Sequence, residues 1–388
     1  MRTNAAAGEQ PLLDWLSEQR SAMLDLLEEI VNTDSSSYDK SGVDAVGRHI
    51  CRFLDRHHIA YDIVPNERFG DAIRAAIGAD ANATILLMGH RDTVFPKGEA
   101  SRRPFRIADG RAYGPGVADM KAGLVMNAFV LAAFNKFGGA PAPLVALFTS
   151  DEEIASPSSR ALIEAEARRA RAVFNAEPGR PSGAVVTSRK GGVFMRVEVT
   201  GKAAHSGGSF AQGISAIGEL AHKIIALHAL TDLAKGVTVN VGLISGGQTV
   251  NTVAPSATGE IDLRFVTPGD RTAAMSAIET IVAASYVPGT SAKLEITGEF
   301  LPVVKTQAGN RLFEHYRACA KDAGLDLKGE FTGGCADSGF SAAVGAPTLC
   351  GTGPVGGKAH TAEEYLEVDT IVPRAQALAL AILRLGRG

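Results

Sequence analysis

Residues 144–156 read LVALFTSDEEIAS. Leu144 to Thr149 are apolar or small and have the length of a buried strand. The run then breaks into three consecutive acids, Asp151, Glu152 and Glu153. Three like charges at the end of a core strand repel one another, so stability alone does not select them. A cation would resolve the arrangement. In open α/β sheets, ligands collect beyond the carboxyl ends of the strands, and that is where these acids fall.

Other strand ends repeat the pattern. ILLMGHRDTV (85–94) places His90 and Asp92 after an apolar run, VFNAEPG (173–179) places Glu177 after another, and TLCGTGPVGGKAHTAEE (348–364) delivers His360 after a further one. Asp119 lies in RAYGPGVADMKAGL (111–124), between a glycine-rich turn and a long apolar helix. Singly, each acid reads as a helix cap and each histidine as a hydrogen-bonded structural residue. Together they form a mixed nitrogen and oxygen donor set that suits zinc, with no thiolate among them. Five donors, one able to bridge, fit two metals better than one.

The spacing between these motifs predicts the architecture. Apolar positions from Leu12 to Ile30 predict one helix over about 11–31, and a second covers Val43–His57. Strands at 83–89, 144–149 and 172–176 alternate with helices near 121–137 and 158–170, which implies an α/β domain with a mostly parallel sheet. The pattern changes near residue 189. Strand 193–201, helix 214–230, strands 236–244 and 257–266, helix 271–283 and strand 292–297 give the order β-α-β-β-α-β of a ferredoxin-like α+β unit. Residues 189–302 are therefore expected as an insertion. Residues 1–188 and 303–388, ending in strand 346–351 and helix 368–385, are expected to form the other domain.

The 388 residues are 45% hydrophobic and 21% charged, with a net charge of −3. That balance predicts a soluble globular protein and offers no electrostatic case for nucleic acid or an anionic membrane. Cys51, Cys319, Cys335 and Cys350 show no C-x-x-C spacing, and the N-terminus has no signal-peptide pattern. Reduced thiols and a cytoplasmic location are expected. No run reads as a membrane span of about 18 apolar residues. Gly351–Gly356 formally matches G-x-G-x-x-G, but Pro354 interrupts it and no βαβ unit follows; it reads better as the loop that delivers His360.

As an ordered set, GHRDTV (89–94), GPGVADMKAG (114–123), DEE (151–153), EP (177–178) and AHTAEE (359–364) closely resemble the co-catalytic zinc exopeptidases. That group includes glutamate carboxypeptidase, aminoacylase, acetylornithine deacetylase and succinyl-diaminopimelate desuccinylase. The resemblance covers nearly the whole chain, and the run TVFPKGEASRRPFRIADGRAYGPGVADMK (93–121) looks most like the glutamate carboxypeptidase branch. It implies two Zn²⁺ per subunit, with Co²⁺ or Mn²⁺ as substitutes. His90 and Glu177 would hold one metal, Glu153 and His360 the other, with Asp119 bridging. Asp92 would orient the His90 imidazole and Glu152 would be the general base. The implied reaction is hydrolysis of the amide of a small peptidyl or N-acyl amino acid with a free carboxylate, in a homodimer joined through the inserted lid.

In the lid, His205 of GKAAHSGG (201–208) matches a histidine that stabilises the oxyanion in relatives. Asn251 and Arg264 match positions that contact the substrate carboxylate or oxyanion, and Lys190 at the hinge is a weaker carboxylate candidate. One departure stands out. Where glutamate-specific relatives have an arginine before the proline that returns the chain from the lid, this chain has Leu301. Leucine cannot replace an arginine fork, so a glutamate preference is doubtful. GGCADS (333–338) also differs, with Cys335 and Ala336 where Gly-Thr is common. An N-acyl-amino-acid deacylase is the competing enzyme reading. A non-catalytic binder is disfavoured because Glu152 and all five candidate ligands are present.

Overall fold

The structure, a computed structural model, describes residues 8–79 and 82–385. Up to residue 189 the chain lays down β1 (Ala60–Val64), β2 (Ala72–Ile77), β3 (Thr84–His90), β4 (Arg106–Ala108), β5 (Arg111–Tyr113), β6 (Leu144–Thr149), β7 (Ala170–Asn175) and β8 (Val185–Arg189). Then come β9 (Gly191–Thr200), β10 (Thr238–Gly246), β11 (Ser256–Phe265) and β12 (Ser291–Phe300). β13 (Gly329–Thr332), β14 (Thr348–Cys350), β15 (Gly356–Gly357) and β16 (Tyr365–Glu367) follow. The chain divides into two units. One comprises the described residues up to Ser188, Lys305–Phe331 and the described residues from Ala336; the other is Arg189–Val304 with Thr332–Cys335.

The first unit is built on an eight-stranded sheet in the order β1-β2-β6-β3-β7-β14-β8-β13. Its centre, β6-β3-β7-β14, is parallel, and β1, β2 and β8 pair antiparallel to their neighbours. β3 and β6 are buried along their whole length, as continuous apolar strands must be when both sheet faces are covered. The helix Ala122–Lys136 is apolar on all sides and buried from Ala122 to Phe134. Gly123 lies in its first turn, and a Cβ there would collide with the Ala176 carbonyl. Val117–Lys136 is long and apolar enough to cross a membrane, but its most apolar 18-residue stretch is 94% buried inside the protein, which makes it a core helix.

The helix expected over 11–31 is two helices, Gln10–Glu18 and Arg20–Val31. Between them Gln19 leaves the helical region, and its N–H reaches both Trp15 and Leu16 carbonyls. The break keeps Leu12, Leu13 and Leu16 in the core together with Met23, Leu26, Leu27, Ile30 and Val31. A small second sheet, β15-β16-β5-β4, joins segments far apart in sequence: Tyr365 pairs with Tyr113 and Glu367 with Arg111.

The second unit is an antiparallel sheet, β10-β11-β9-β12, with helices Ala216–His228 and Pro268–Ala283 against it. β9 alternates Val193, Met195, Val197 and Val199 into the core with Arg196, Glu198 and Thr200 outward. Thr267 and Asp270 form a capping box at the start of the second helix. Its far end is closed by Lys223, a fully buried lysine that donates to the carbonyls of Ile281, Val282 and Ala284 and pairs with Glu219 at 2.8 Å. Glu219 also accepts the N–H groups of Tyr286 and Val287, so both buried charges are hydrogen-bonded.

Candidate metal centre

Parallel pairing of β3 with β6 sets His90 opposite Thr149, so the chain leaves both strands at the same edge. β7, the other parallel neighbour of β3, ends one residue before Ala176 and two before Glu177. These registers gather three of the five predicted metal ligands, His90, Glu153 and Glu177. Asp119 arrives from the turn after β5, where Gly116 has φ +72° and a Cβ would strike the Thr93 side chain. His360 arrives on the loop between β15 and β16, itself at φ +63°.

Two donor groups result: His90, Asp119 and Glu177, and Asp119, Glu153 and His360. His90 Nε2 lies 3.4 Å from Asp119 Oδ1 and 3.6 Å from Glu177 Oε1. His360 Nε2 lies 3.4 Å from Asp119 Oδ2 and 3.2 Å from Glu153 Oε2. Donor atoms arranged tetrahedrally on a zinc ion stand about 3.3–3.5 Å apart. The two Asp119 oxygens face different groups, as a bridging carboxylate requires. His90 Nε2 and Glu153 Oε1 are buried without a hydrogen-bond partner, a cost that a cation removes. The residues present therefore fit a pair of divalent metals.

The surrounding electrostatics match. His90 is fully enclosed, which disfavours imidazolium, yet Glu152, Asp119 and Asp92 outweigh that and raise its pKa well above normal. Hydrogen bonding to Asp119 and Glu153 raises His360 to about 10. Burial raises Glu153 despite its bond to His360. The same negative charge that raises both imidazoles would also favour a bound cation.

Asp92 is completely buried and organises the acids around it. Its Oδ2 accepts Ser37 Oγ at 2.7 Å and the Glu153 N–H at 3.1 Å; its Oδ1 accepts the Glu152 N–H at 3.1 Å. His90 Nδ1 is 3.0 Å from the Asp92 carbonyl and 3.4 Å from Oδ1, so Nδ1–H points at Asp92 and Nε2 faces the other donors. Asp151 turns inward, accepting the Ser158 N–H at 2.6 Å. The three consecutive acids thus have separate surroundings: Asp151 shapes the turn, Glu153 joins a donor group, and Glu152 stands beside the centre without belonging to either group. Glu152 Oε2 is 3.9 Å from His90 Nε2. Burial raises its pKa well above the usual carboxyl value, Glu177, Asp337 and Glu153 add to this, and His90 opposes it.

Sequence reasoning missed two supporting residues. Ser37 sits in the serine-rich stretch 35–37, which carries no motif of its own. Glu364 was visible only as the end of AHTAEE, without a role. It is fully buried and accepts N–H groups from Gly116, Ala118 and Asp119.

The lid residues lie in the second unit. His205 is exposed, and its Nδ1 accepts the N–H groups of Gly207 and Gly208 at 3.1 and 3.0 Å, which leaves the proton on Nε2. Asn251 adjoins it through its carbonyl, which accepts the Ser206 N–H. Arg264 stacks over Phe194 and donates to Asp262 at 2.7 Å and to Cys335 Sγ at 2.8 Å. The Lys190 N–H donates to the Thr332 carbonyl, tying the hinge to the 332–335 loop.

Residues 86–384 match the model of Peptidase family M20/M25/M40. Carboxypeptidase G2 of Pseudomonas sp. (strain RS-16) is 29% identical over 380 residues, covering 96% of this chain and 91% of the relative. Acetylornithine deacetylase of Edwardsiella ictaluri (strain 93-146) is 29% identical over 341 residues, covering 82% of this chain and 84% of the relative. Among solved structures, the M20 family metallo-carboxypeptidase Sso-CP2 from Sulfolobus solfataricus superposes with a TM-score of 0.77 at 18% identity, covering 94% of this chain and 99% of that one. Fold, donor geometry and family match converge, and the chain belongs to Peptidase family M20/M25/M40 as a metallopeptidase hydrolase.

Proposed function

We propose that this protein is a dinuclear zinc hydrolase that cleaves the amide of a small peptidyl or N-acyl amino acid bearing a free carboxylate. The observation that carries the reading is the sharing of Asp119 between two three-residue donor groups, with Glu152 immediately outside both. His90 and Glu177 would hold one metal and Glu153 and His360 the other, with Asp119 shared between the two donor groups. Histidine and carboxylate donors without thiolate suit zinc, with Co²⁺ or Mn²⁺ as substitutes. The metals supply Lewis acidity toward the scissile carbonyl and lower the pKa of water toward neutrality. Glu152, kept off the donor groups, takes the proton of the attacking water on its carboxylate and delivers it to the leaving amide nitrogen. Asp92 keeps the His90 proton on Nδ1 throughout.

His205, with its proton on Nε2, acts as an oxyanion donor. Arg264, Asn251 and Lys190 are assigned to the substrate carboxylate. Leu301 favours an apolar substrate side chain over glutamate. The acetylornithine deacetylase relative keeps N-acyl deacylation as the second reading. The lid also supports a homodimer: β10 is an edge strand, and Leu243, Ile244 and the neighbouring helix's Ile225 are 64%, 67% and 72% exposed.

Hydrolysis of a panel of dipeptides and N-acyl amino acids by zinc-reconstituted protein tests the reading, with Glu152→Gln as control. Glu152→Gln is expected to keep both metals and lose about 10²–10⁴-fold in turnover. Full turnover in that variant refutes the base assignment. Cleavage of N-acyl amino acids alone selects the deacylase.

A further inference from the structure

We propose that Glu364 is a positioning residue for the metal centre, fixing the Asp119 turn and the His360 loop as one assembly. The inference rests on the metal-binding reading above.

Glu364 follows His360 by four residues and immediately precedes β16. β16 pairs with β5, whose last residue, Tyr113, leads directly into the turn that carries Asp119. That pairing carries the Glu364 side chain over the turn. Its Oε1 accepts the N–H groups of Ala118 at 2.8 Å and Asp119 at 2.9 Å, and its Oε2 accepts that of Gly116 at 3.2 Å. The carboxylate has no solvent exposure. Burying a charge is costly, and burial beside Asp119 raises the carboxyl above its ordinary value even though the three bonds from the turn favour the charged form. Converging backbone N–H groups of this kind form a cradle for an anion.

The arrangement acts on both sides. Without Glu364 the N–H groups of a mostly buried turn lose their acceptor, and that turn presents the one carboxylate common to both donor groups. On the other side, Lys358 and His360 hold φ of +57° and +63°, in the left-handed region that favours glycine. The segment after His360 is held at two points, by Glu364 and by Arg103 Nη1 donating to the Ala362 carbonyl at 2.9 Å. Glu363 next door offers the contrast: it is exposed and paired with Lys358. The position of the Glu364 carboxylate, and not acidity along the segment, makes the connection.

Spectrophotometric Co²⁺ titration of the metal-stripped full chain tests this, with melting of the apoprotein followed in parallel. Wild type is expected to take two equivalents. Glu364→Gln keeps the shape but directs an NH₂ group at N–H donors. It is expected to bind Co²⁺ about 10–100-fold more weakly and to regain the wild-type absorption spectrum and turnover at saturating metal. Glu363→Gln is expected to titrate as wild type. A purely structural role would lower apoprotein melting without that metal rescue. Should Glu364→Gln not be recovered folded, Glu364→Asp, which keeps the charge and shortens the reach, is titrated in its place. Wild-type affinity in whichever variant is measured overturns the inference and leaves the metal reading standing. Absence of metal binding by wild type overturns both.

Discussion

Asp92 Oδ2 accepts the backbone N–H of Glu153 at 3.1 Å. One buried carboxylate thus holds the turn that carries two others, and its Oδ1 lies 3.4 Å from His90 Nδ1. Removing it should disturb both. Asp92→Ala is expected to lower metal affinity by about 10–100-fold and to reduce turnover even at saturating zinc, because the Glu152 N–H loses its acceptor as well. Chelator competition and steady-state kinetics on the same preparation measure the two effects.

Ser37 reaches the same carboxylate from the loop after the second helix, at 2.7 Å. A hydrogen bond to a charged group contributes about 1.5–3 kcal/mol. Ser37→Ala is expected to lower the unfolding free energy by about that amount in urea titration. Its effect on metal affinity should be smaller than that of Asp92→Ala, since the two N–H bonds to Asp92 persist.

Asp337 supplies a pH-dependent stability test. Burial raises its carboxyl to about 7 from an ordinary 3.8; Ser156 and His90 oppose the rise, and Asp151 and Asp92 reinforce it. The folded state therefore holds a proton that the unfolded chain releases at lower pH. The stability this contributes is full below about pH 4 and is lost as pH rises toward 7. Asp337→Asn keeps an acceptor for Ser156. In metal-stripped protein it is expected to melt as wild type at pH 4 and above wild type at pH 8. Parallel melting curves for the two proteins across that range would refute the argument.

The β10 edge gives a prediction for assembly. Leu243→Asp places a charge on an exposed apolar strand edge without entering the lid core. It is expected to convert a dimer to a monomer in sedimentation velocity and to leave the circular dichroism spectrum unchanged. An unaltered sedimentation coefficient rejects this edge as the interface.

Much of this arrangement could be read from residue order because buried parallel strands are conspicuous and their last residues are informative. LVALFT and TILLMGH announce themselves by unbroken apolarity, and the donors follow directly. What the sequence could not supply was register. The pairing of His90 with Thr149 is what brings the Asp92 carboxylate to the N–H groups of Glu152 and Glu153, and no local pattern encodes it. β5, β15 and β16 have only two or three residues each and carry no periodicity, so the sheet that brings Glu364 to Asp119 was invisible. The break at Gln19 was hidden for the opposite reason: glutamine is a good helix former, and the apolar spacing continues across it.

The insertion between β8 and β13 has a further consequence, for the ribosome. His90, Asp119 and Glu177 all precede Arg189–Val304, whereas His360 follows it. During vectorial synthesis the first donor group is translated in full before the lid, and the second waits until the lid has emerged. β14, which lies between β7 and β8 in the sheet, is also made after both. Asp119 belongs to both donor groups, so the second is complete in sequence only when residue 360 has been made, long after the first.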